Sequence, residues 1–222
     1  MAFLVDFPVC FHNTRKSLPR PQRHPINARS MPTPPISPAN SVPPPSPGSE
    51  VWQRGPVAGF AAELQPVVHA LLQVVEEIER HAGALTHEQL WARPHGVASV
   101  GFHLVHLAGS TDRLLTYARD ERLTAVQKEA LELELQLQEV TPIVDASAPD
   151  LVVRIQTELQ RLIDTLREVP LDGLQAPRFI GRARLETTVW GLLFHAAEHA
   201  SRHAGQLTTT ARIVRGMYPA AR

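Results

Sequence analysis

Apolar residues recur at spacings of three and four along most of the chain after residue 57, a pattern that predicts amphipathic helices. Pro66 is expected in the first turn of the first helix, where its missing amide hydrogen leaves no acceptor unpaired, and Gly83 is expected to end that helix. Thr86 and Gln89 then predict a capping box for a short helical turn. The apolar stripe of the first helix consists of Leu64, Val68, Leu71, Val75 and Ile78.

Three further long helices follow. The second is predicted to begin at Ser99 as N-cap, the third runs from Pro149 until Pro170 interrupts it, and the fourth is capped by Thr187 or Thr188. Each carries its own apolar stripe: Leu104, Leu107, Thr111, Leu114 and Ala118; then Leu151, Ile155, Leu159, Leu162 and Leu166; then Leu193, Ala197, Ala200, Ala204, Leu207, Ala211 and Val214.

Two intervening segments have weaker patterns. Residues 126–138, VQKEALELELQLQ, carry leucine at alternate positions late in the segment, which suits a strand, but their Glu, Gln and Leu content favours a helix. Residues 177–188, PRFIGRARLETT, predict a loop or small hairpin that leads into the fourth long helix. The fold class predicted from all segments is all-α, an antiparallel four-helix bundle.

The composition changes near residue 56. Most of the 20 prolines precede residue 57, in segments such as PTPPISPANSVPPPSPGS, which have too few aliphatic residues to offset the entropy of ordering. We therefore predict a disordered Pro/Ser-rich tail over residues 1–55 and a helical domain over residues 56–217. The start of the tail makes a poor signal or transit peptide, and we favour Met31 as the natural start over a targeting role.

Charge and cysteine content limit the classes of partner and compartment. Lys and Arg number 22 and Asp and Glu number 22, so the chain has no net charge to favour nucleic acid or an anionic membrane. The single cysteine, Cys10, cannot form an intramolecular disulfide, and a cytoplasmic location is expected. The sequence contains no uncharged apolar stretch of about 18 residues, so no membrane span is expected.

The fourth helix carries His195, His199 and His203 at four-residue intervals. Side chains four apart on a helix have Cβ atoms about 5 to 6 Å apart, so two such imidazoles can bind one ion. All three cannot, because His195 and His203 are separated by roughly 12 Å along the axis. One pair must be joined by a ligand from another helix, and the second helix offers His103 and His106. We interpret the remaining histidines as ordinary surface or core residues: His12, His24, His69, His81, His87 and His95.

Two other metal motifs are weaker interpretations. HAAEH at 195–199 matches the H-x-x-E-H string of inverted zinc peptidases, in which Glu198 would be the general base, but no acidic residue follows Glu198 to complete the ligand set. A di-iron carboxylate bundle requires Glu-x-x-His on two helices and two further glutamates. That arrangement is missing from this sequence.

The segments SVGFHLVHLAGSTDRLL and FHAAEHASRHAGQL resemble the two signature regions of the DinB-like family, S-V-x-x-x-L-x-H-L and H-x-x-x-H-x-G-Q. The resemblance covers about residues 57–216. It implies that His106, His199 and His203 are metal ligands. It also places His195 and Glu198 in the pocket around the metal, with Gln206 in the second signature. Ala204 stands where the family usually has arginine, so no charged group is implied there.

The resemblance implies a bundle that holds one divalent ion through three imidazoles and leaves coordination positions open. All-nitrogen ligation suits zinc, nickel or ferrous iron. Characterised relatives include transferases and isomerases that depend on low-molecular-weight thiols, and residues 56–217 contain no cysteine of their own. We therefore expect a metal-dependent enzyme that transfers or adds such a thiol, or hydrolyses a small-molecule substrate, with Glu198 and Gln206 as catalytic candidates and His195 as a cofactor-binding one.

The alternative hypothesis is a non-catalytic metal-binding or stress-related dimerising bundle, in which the ion ties the second long helix to the fourth. Family resemblance also implies a homodimer.

Overall fold

The computed structural model describes residues 48–139, 146–181 and 183–219. Its helices are α1 (Gln65–Ala82), α2 (His87–Trp91), α3 (Val100–Ala118), α4 (Ala125–Glu139), α5 (Ala148–Glu168) and α6 (Val189–Met217). Strands β1 (Pro177–Ile180) and β2 (Leu185–Thr188) form an antiparallel hairpin before α6. Short 3₁₀ helices cover Val51–Arg54, Ala62–Leu64, Pro94–Gly96 and Leu171–Gly173. The described chain is therefore predominantly helical.

The four longest helices enclose the core. Both α1 and α3 pack against α5 and against α6. The predicted stripes of α3, α5 and α6 are buried throughout, and the stripe of α6 consists mainly of alanine. In α1 the stripe was wrong at one position, because Val74 is buried whereas Val75 only packs against the edge of the core. The helical fold class is confirmed, and the antiparallel direction of the four helices stays a prediction.

Local signals in the sequence set the helix ends. Pro66 lies in the first turn of α1, and Gly83 follows its last residue. The Thr86 hydroxyl accepts a hydrogen bond from the Gln89 amide in the predicted capping box. Ser99 caps α3 by accepting from the Phe102 amide. Each side chain satisfies an amide that has no partner within its helix.

The two segments with weak patterns also have the predicted structures. Residues 125–139 form α4, which packs on α3 and buries Leu137. The hairpin pairs Pro177 with Thr188 and Ile180 with Leu185. Thr188, rather than Thr187, caps α6 by accepting from the Gly191 amide.

The predicted disordered tail covers residues 1–55, of which the structure describes residues 48–55. Residues 1–47 of the predicted disordered tail lie outside the described residues. Val51 is buried, and its amide donates to the Gln73 side chain on α1, so contacts with the helices begin before residue 56. The boundary of the domain stays a prediction. Within the described ranges, no helix is both long and apolar enough to cross a membrane.

Candidate metal centre

Three histidines from two helices converge between α3 and α6. His106 comes from α3, whereas His199 and His203 come from consecutive turns of α6. One ring nitrogen from each lies within 4.8 Å of the other two. The Nε2 atoms of His106 and His199 are 3.0 Å apart. The structure thus brings together the three residues that the family resemblance implies as ligands.

The separations suit one shared ion. Two nitrogens bound at about 2.1 Å would lie about 3.0 Å apart at a right angle and about 3.4 Å apart at a tetrahedral angle. The Nε2 atoms of His106 and His199 already meet that requirement. No separation within the trio exceeds 4.8 Å, and any separation longer than about 3.4 Å would have to shorten on binding.

A carboxylate on α4 lies within hydrogen-bond distance of His106. Its Nδ1 lies 3.0 Å from Glu134 Oε2, and Glu134 also receives two hydrogen bonds from Arg113, at 2.7 and 2.8 Å. Glu134 and Arg113 are buried, with exposed fractions of 3% and 8%. Burial raises the pKa of Glu134, but the hydrogen bonds from Arg113 and His106 outweigh it and leave the pKa below its usual value. The carboxylate is therefore ionised at neutral pH.

Sequence reasoning missed Glu134 and Arg113. Glu134 lies among alternating leucines, and the pattern itself gives no reason to expect that Glu134 is buried while its neighbour Leu133 is exposed. A glycine on α3 is a nearby residue whose identity reflects this ion pair. Gly109 lies one turn before Arg113 on α3, and a Cβ at that position would overlap the Glu134 carboxylate and the Arg113 guanidinium. A small residue there is needed for the ion pair to form.

His103 is a partner of a candidate ligand. Its Nδ1 lies 2.9 Å from Nδ1 of His203, and its side chain is buried. If His203 binds an ion through Nε2, its Nδ1–H donates to His103, which is the usual arrangement for a ligating imidazole. By contrast, Nδ1 of His199 is buried with no hydrogen-bond partner within the described part of the chain.

Metal ions bind the neutral form of imidazole, and the lowered pKa values keep three histidines here in that form. Burial, followed by the charges of His106 and His195, lowers the pKa of His199 to about 3. Burial, followed by the charge of His106, lowers the pKa of His203 to about 2 and that of His103 to about 4. These imidazoles are neutral at physiological pH, so they would bind a metal ion without a net loss of protons.

A comparison with protein-family models finds a match that spans the histidine cluster. The model of the DinB superfamily matches residues 70–207, which include all three candidate ligands and more than half of the chain. The chain belongs to the DinB superfamily. A comparison with curated proteins finds no match. The three-histidine cluster of this DinB protein is compatible with binding of a divalent metal ion.

Two of the predicted pocket residues, His195 and Glu198, lie beside the cluster. His195 is partly exposed, with its ring 5.5 Å from that of His199 and its Nδ1 3.4 Å from Glu198 Oε2. Glu198 accepts a hydrogen bond from Arg202 Nε at 3.0 Å, and that bond is the main reason its pKa is lowered. Gln206 is exposed on α6. The catalytic roles of Glu198 and Gln206 and the binding role of His195 stay predictions.

The lowered pKa values predict acid sensitivity of the metal-free DinB protein. An unfolded histidine has a pKa of about 6.5, so between about pH 6.5 and pH 4 the unfolded chain binds protons that folded His103, His199 and His203 do not. The free energy of unfolding should therefore fall as pH drops through this window and be insensitive to these groups above about pH 7. Urea unfolding at several pH values measures this dependence. A His199→Leu variant should show a shallower decrease, and equal slopes would contradict the prediction.

Proposed function

We propose that this DinB protein binds one divalent transition-metal ion through His106, His199 and His203 and is a metal-dependent enzyme acting on a small molecule. The observation that carries the proposal is the convergence of three imidazoles while the side chain of His106 remains 17% exposed. Three protein ligands with solvent access are typical of catalytic sites, whereas structural zinc sites normally have four. Zinc, nickel and ferrous iron all suit this ligand set.

When bound, such an ion would polarise a substrate oxygen or lower the pKa of a bound water or thiol. The residues of this chain would supply the surroundings. Glu134 and His103 orient two of the ligands, and the buried core excludes water from one side of the cluster. His195 and Glu198 form a polar rim on the exposed side, where a substrate would enter.

We further propose that the nucleophile is a low-molecular-weight thiol, added or transferred to an electrophile, with hydrolysis as the variant in which water takes its place. Residues 56–217 contain no cysteine, so sulfur must come from a cosubstrate. In thiol addition the S–H proton passes to a base or solvent, the sulfur bonds to the electrophilic carbon, and the π bond that breaks there is protonated at its other atom. In thiol transfer a leaving group departs from that carbon with the bonding electron pair instead. Glu198 and Gln206 are the candidates for contact with the thiol and the electrophile.

The second candidate function is a non-catalytic metal-binding bundle. The observation that favours it is that the proposed ligands bridge α3 and α6, as a structural tie would. Against it, α3 and α6 already share a buried apolar interface. Metal removal separates the two functions because a structural ion supplies much of the folding energy.

For the catalytic function, removal of the ion by a chelator is expected to leave the helical circular dichroism at 20 °C unchanged. The buried core of α1, α3, α5 and α6 would keep the helices folded. The chelated protein should lose any acceleration of the reaction between a small thiol and an electrophile, and zinc, nickel or iron should restore it. Loss of helical signal on chelation would favour the structural tie. Equal reaction rates with and without metal would contradict the proposal that the protein is a metal-dependent enzyme.

A further inference from the structure

We propose that Glu134 is a positioning residue of the metal centre: held by Arg113, its carboxylate fixes the His106 ring so that Nε2 is directed towards His199. The inference rests on the proposed metal binding and adds α4 to the elements that build the site. It concerns a contact between residues 28 positions apart in the chain.

The carboxylate is itself fixed. The two terminal nitrogens of Arg113 donate to the two oxygens of Glu134, one to each, in the bidentate geometry that leaves a carboxylate little freedom to rotate. Oε2 then receives His106 Nδ1 as well, at 3.0 Å. The side chains of Glu134 and Arg113 are only 3% and 10% exposed, so water competes little for the hydrogen bonds between them.

The charge of Glu134 determines which nitrogen of His106 carries hydrogen. An ionised carboxylate only accepts hydrogen bonds, so His106 Nδ1 must be the donor. In the neutral ring, Nε2 then has a free lone pair, and this lone pair faces His199 Nε2 at 3.0 Å. Two facing nitrogens at this distance require either a proton or a cation between them. Glu134 thereby prepares His106 as a ligand before any ion arrives.

The stacking of Phe102 on His106 supports the same orientation. The two rings are 5.4 Å apart with an interplanar angle of 5°. Phe102 restrains the ring plane, but it cannot choose the protonated nitrogen. Only the hydrogen bond to Glu134 does so, which makes the tautomer a specific readout of this residue.

The experiment combines metal affinity with the tautomer. Co²⁺ affinity is measured by chelator competition in the wild-type chain, in Glu134→Gln, and in Glu132→Gln as the matched control, because Glu132 is exposed on the same helix. Loss of an outer carboxylate typically weakens metal binding about 10- to 100-fold. We expect that loss in Glu134→Gln, together with a changed visible spectrum at saturating Co²⁺, and no change in Glu132→Gln.

Two-bond ¹H–¹⁵N correlation spectra of the metal-free wild type report the tautomer without any variant. Hydrogen on Nδ1 of His106 is expected, and hydrogen on Nε2 would overturn the inference whatever the metal result. Unchanged Co²⁺ affinity and spectrum in Glu134→Gln, even with lower stability, would also overturn it, because Glu134 would then be structural only. A wild type with the expected tautomer that binds no Co²⁺, Zn²⁺, Ni²⁺ or Fe²⁺ would contradict the proposed function and leave Glu134 with no metal to position.

Discussion

A His199→Ala variant is expected to bind divalent metal about 100-fold more weakly than the wild type, or worse. Apparent binding free energies of about 10 to 16 kcal/mol are shared among about four ligands in tight zinc sites, so one ligand contributes roughly 3 kcal/mol. His199 is central to the cluster, with its ring 5.1 Å from that of His106 and 4.5 Å from that of His203. Chelator competition with Zn²⁺ and Co²⁺ measures the change.

Two alanine variants serve as controls for this loss. His87 is exposed on α2, and its replacement should leave metal affinity unchanged. His195→Ala removes the third histidine of the α6 stripe, which the structure puts at the rim, and should weaken binding far less than His199→Ala. If His195→Ala instead abolishes binding while a His203→Ala variant does not, the ligand pair on α6 is His195 and His199, one turn earlier than assigned.

An Arg113→Met variant is expected to be destabilised by about 3 to 5 kcal/mol at pH 7. It would leave the Glu134 carboxylate buried without its main partner, and an uncompensated buried charge costs about that much. Equilibrium unfolding in urea measures the difference. The matched exposed change is Arg167→Met, which breaks the solvent-exposed pair with Asp164 and should cost less than about 1 kcal/mol.

The double variant Arg113→Met, Glu134→Met separates the charge from the packing. Apolar replacement of both members of a buried ion pair is often neutral for stability, so the double variant should recover most of the loss. It should bind metal more weakly than the wild type, because His106 would lack the Glu134 carboxylate that accepts from its Nδ1. A single Arg113→Met variant as stable as wild type would mean that the pair is not buried as described.

The fold was predictable because its signals are local. Ser99, Thr86 and Gly83 define helix ends through contacts within three or four residues, and the apolar stripes repeat with the helical period. The error at Val75 has the same origin. A stripe read from spacing alone cannot tell which of two adjacent valines faces the core when both lie near its edge.

The candidate site was predictable only in part. Helical spacing put His195, His199 and His203 on one face of α6, but it could not choose the ligand pair among them, nor between His103 and His106 on α3. Both choices came from the family resemblance. The structure gives a physical reason for the ambiguity, because both histidines reach the cluster: His106 as a candidate ligand and His103 as the partner of His203. Spacing does not distinguish a ligand from the residue that orients it.

The burial of Glu134 depends on contacts with residues far away in the sequence, so no local pattern predicts it. Its contacts are with His106 and Arg113, 28 and 21 residues earlier in the chain, and they exist only because α4 folds back onto α3. Within α4 the leucine alternation even favoured a strand. The burial of a glutamate follows from the guanidinium opposite it, which sequence periodicity does not report.

X-ray absorption spectroscopy of the zinc-loaded protein shows whether three imidazoles share one ion. We expect about one zinc per chain with three imidazole nitrogens at about 2.0 to 2.1 Å and oxygen in the remaining positions. The His199→Ala variant, if it can be loaded, should show one imidazole fewer. A site with one imidazole or none, or no zinc retained at all, would contradict the assignment of His106, His199 and His203.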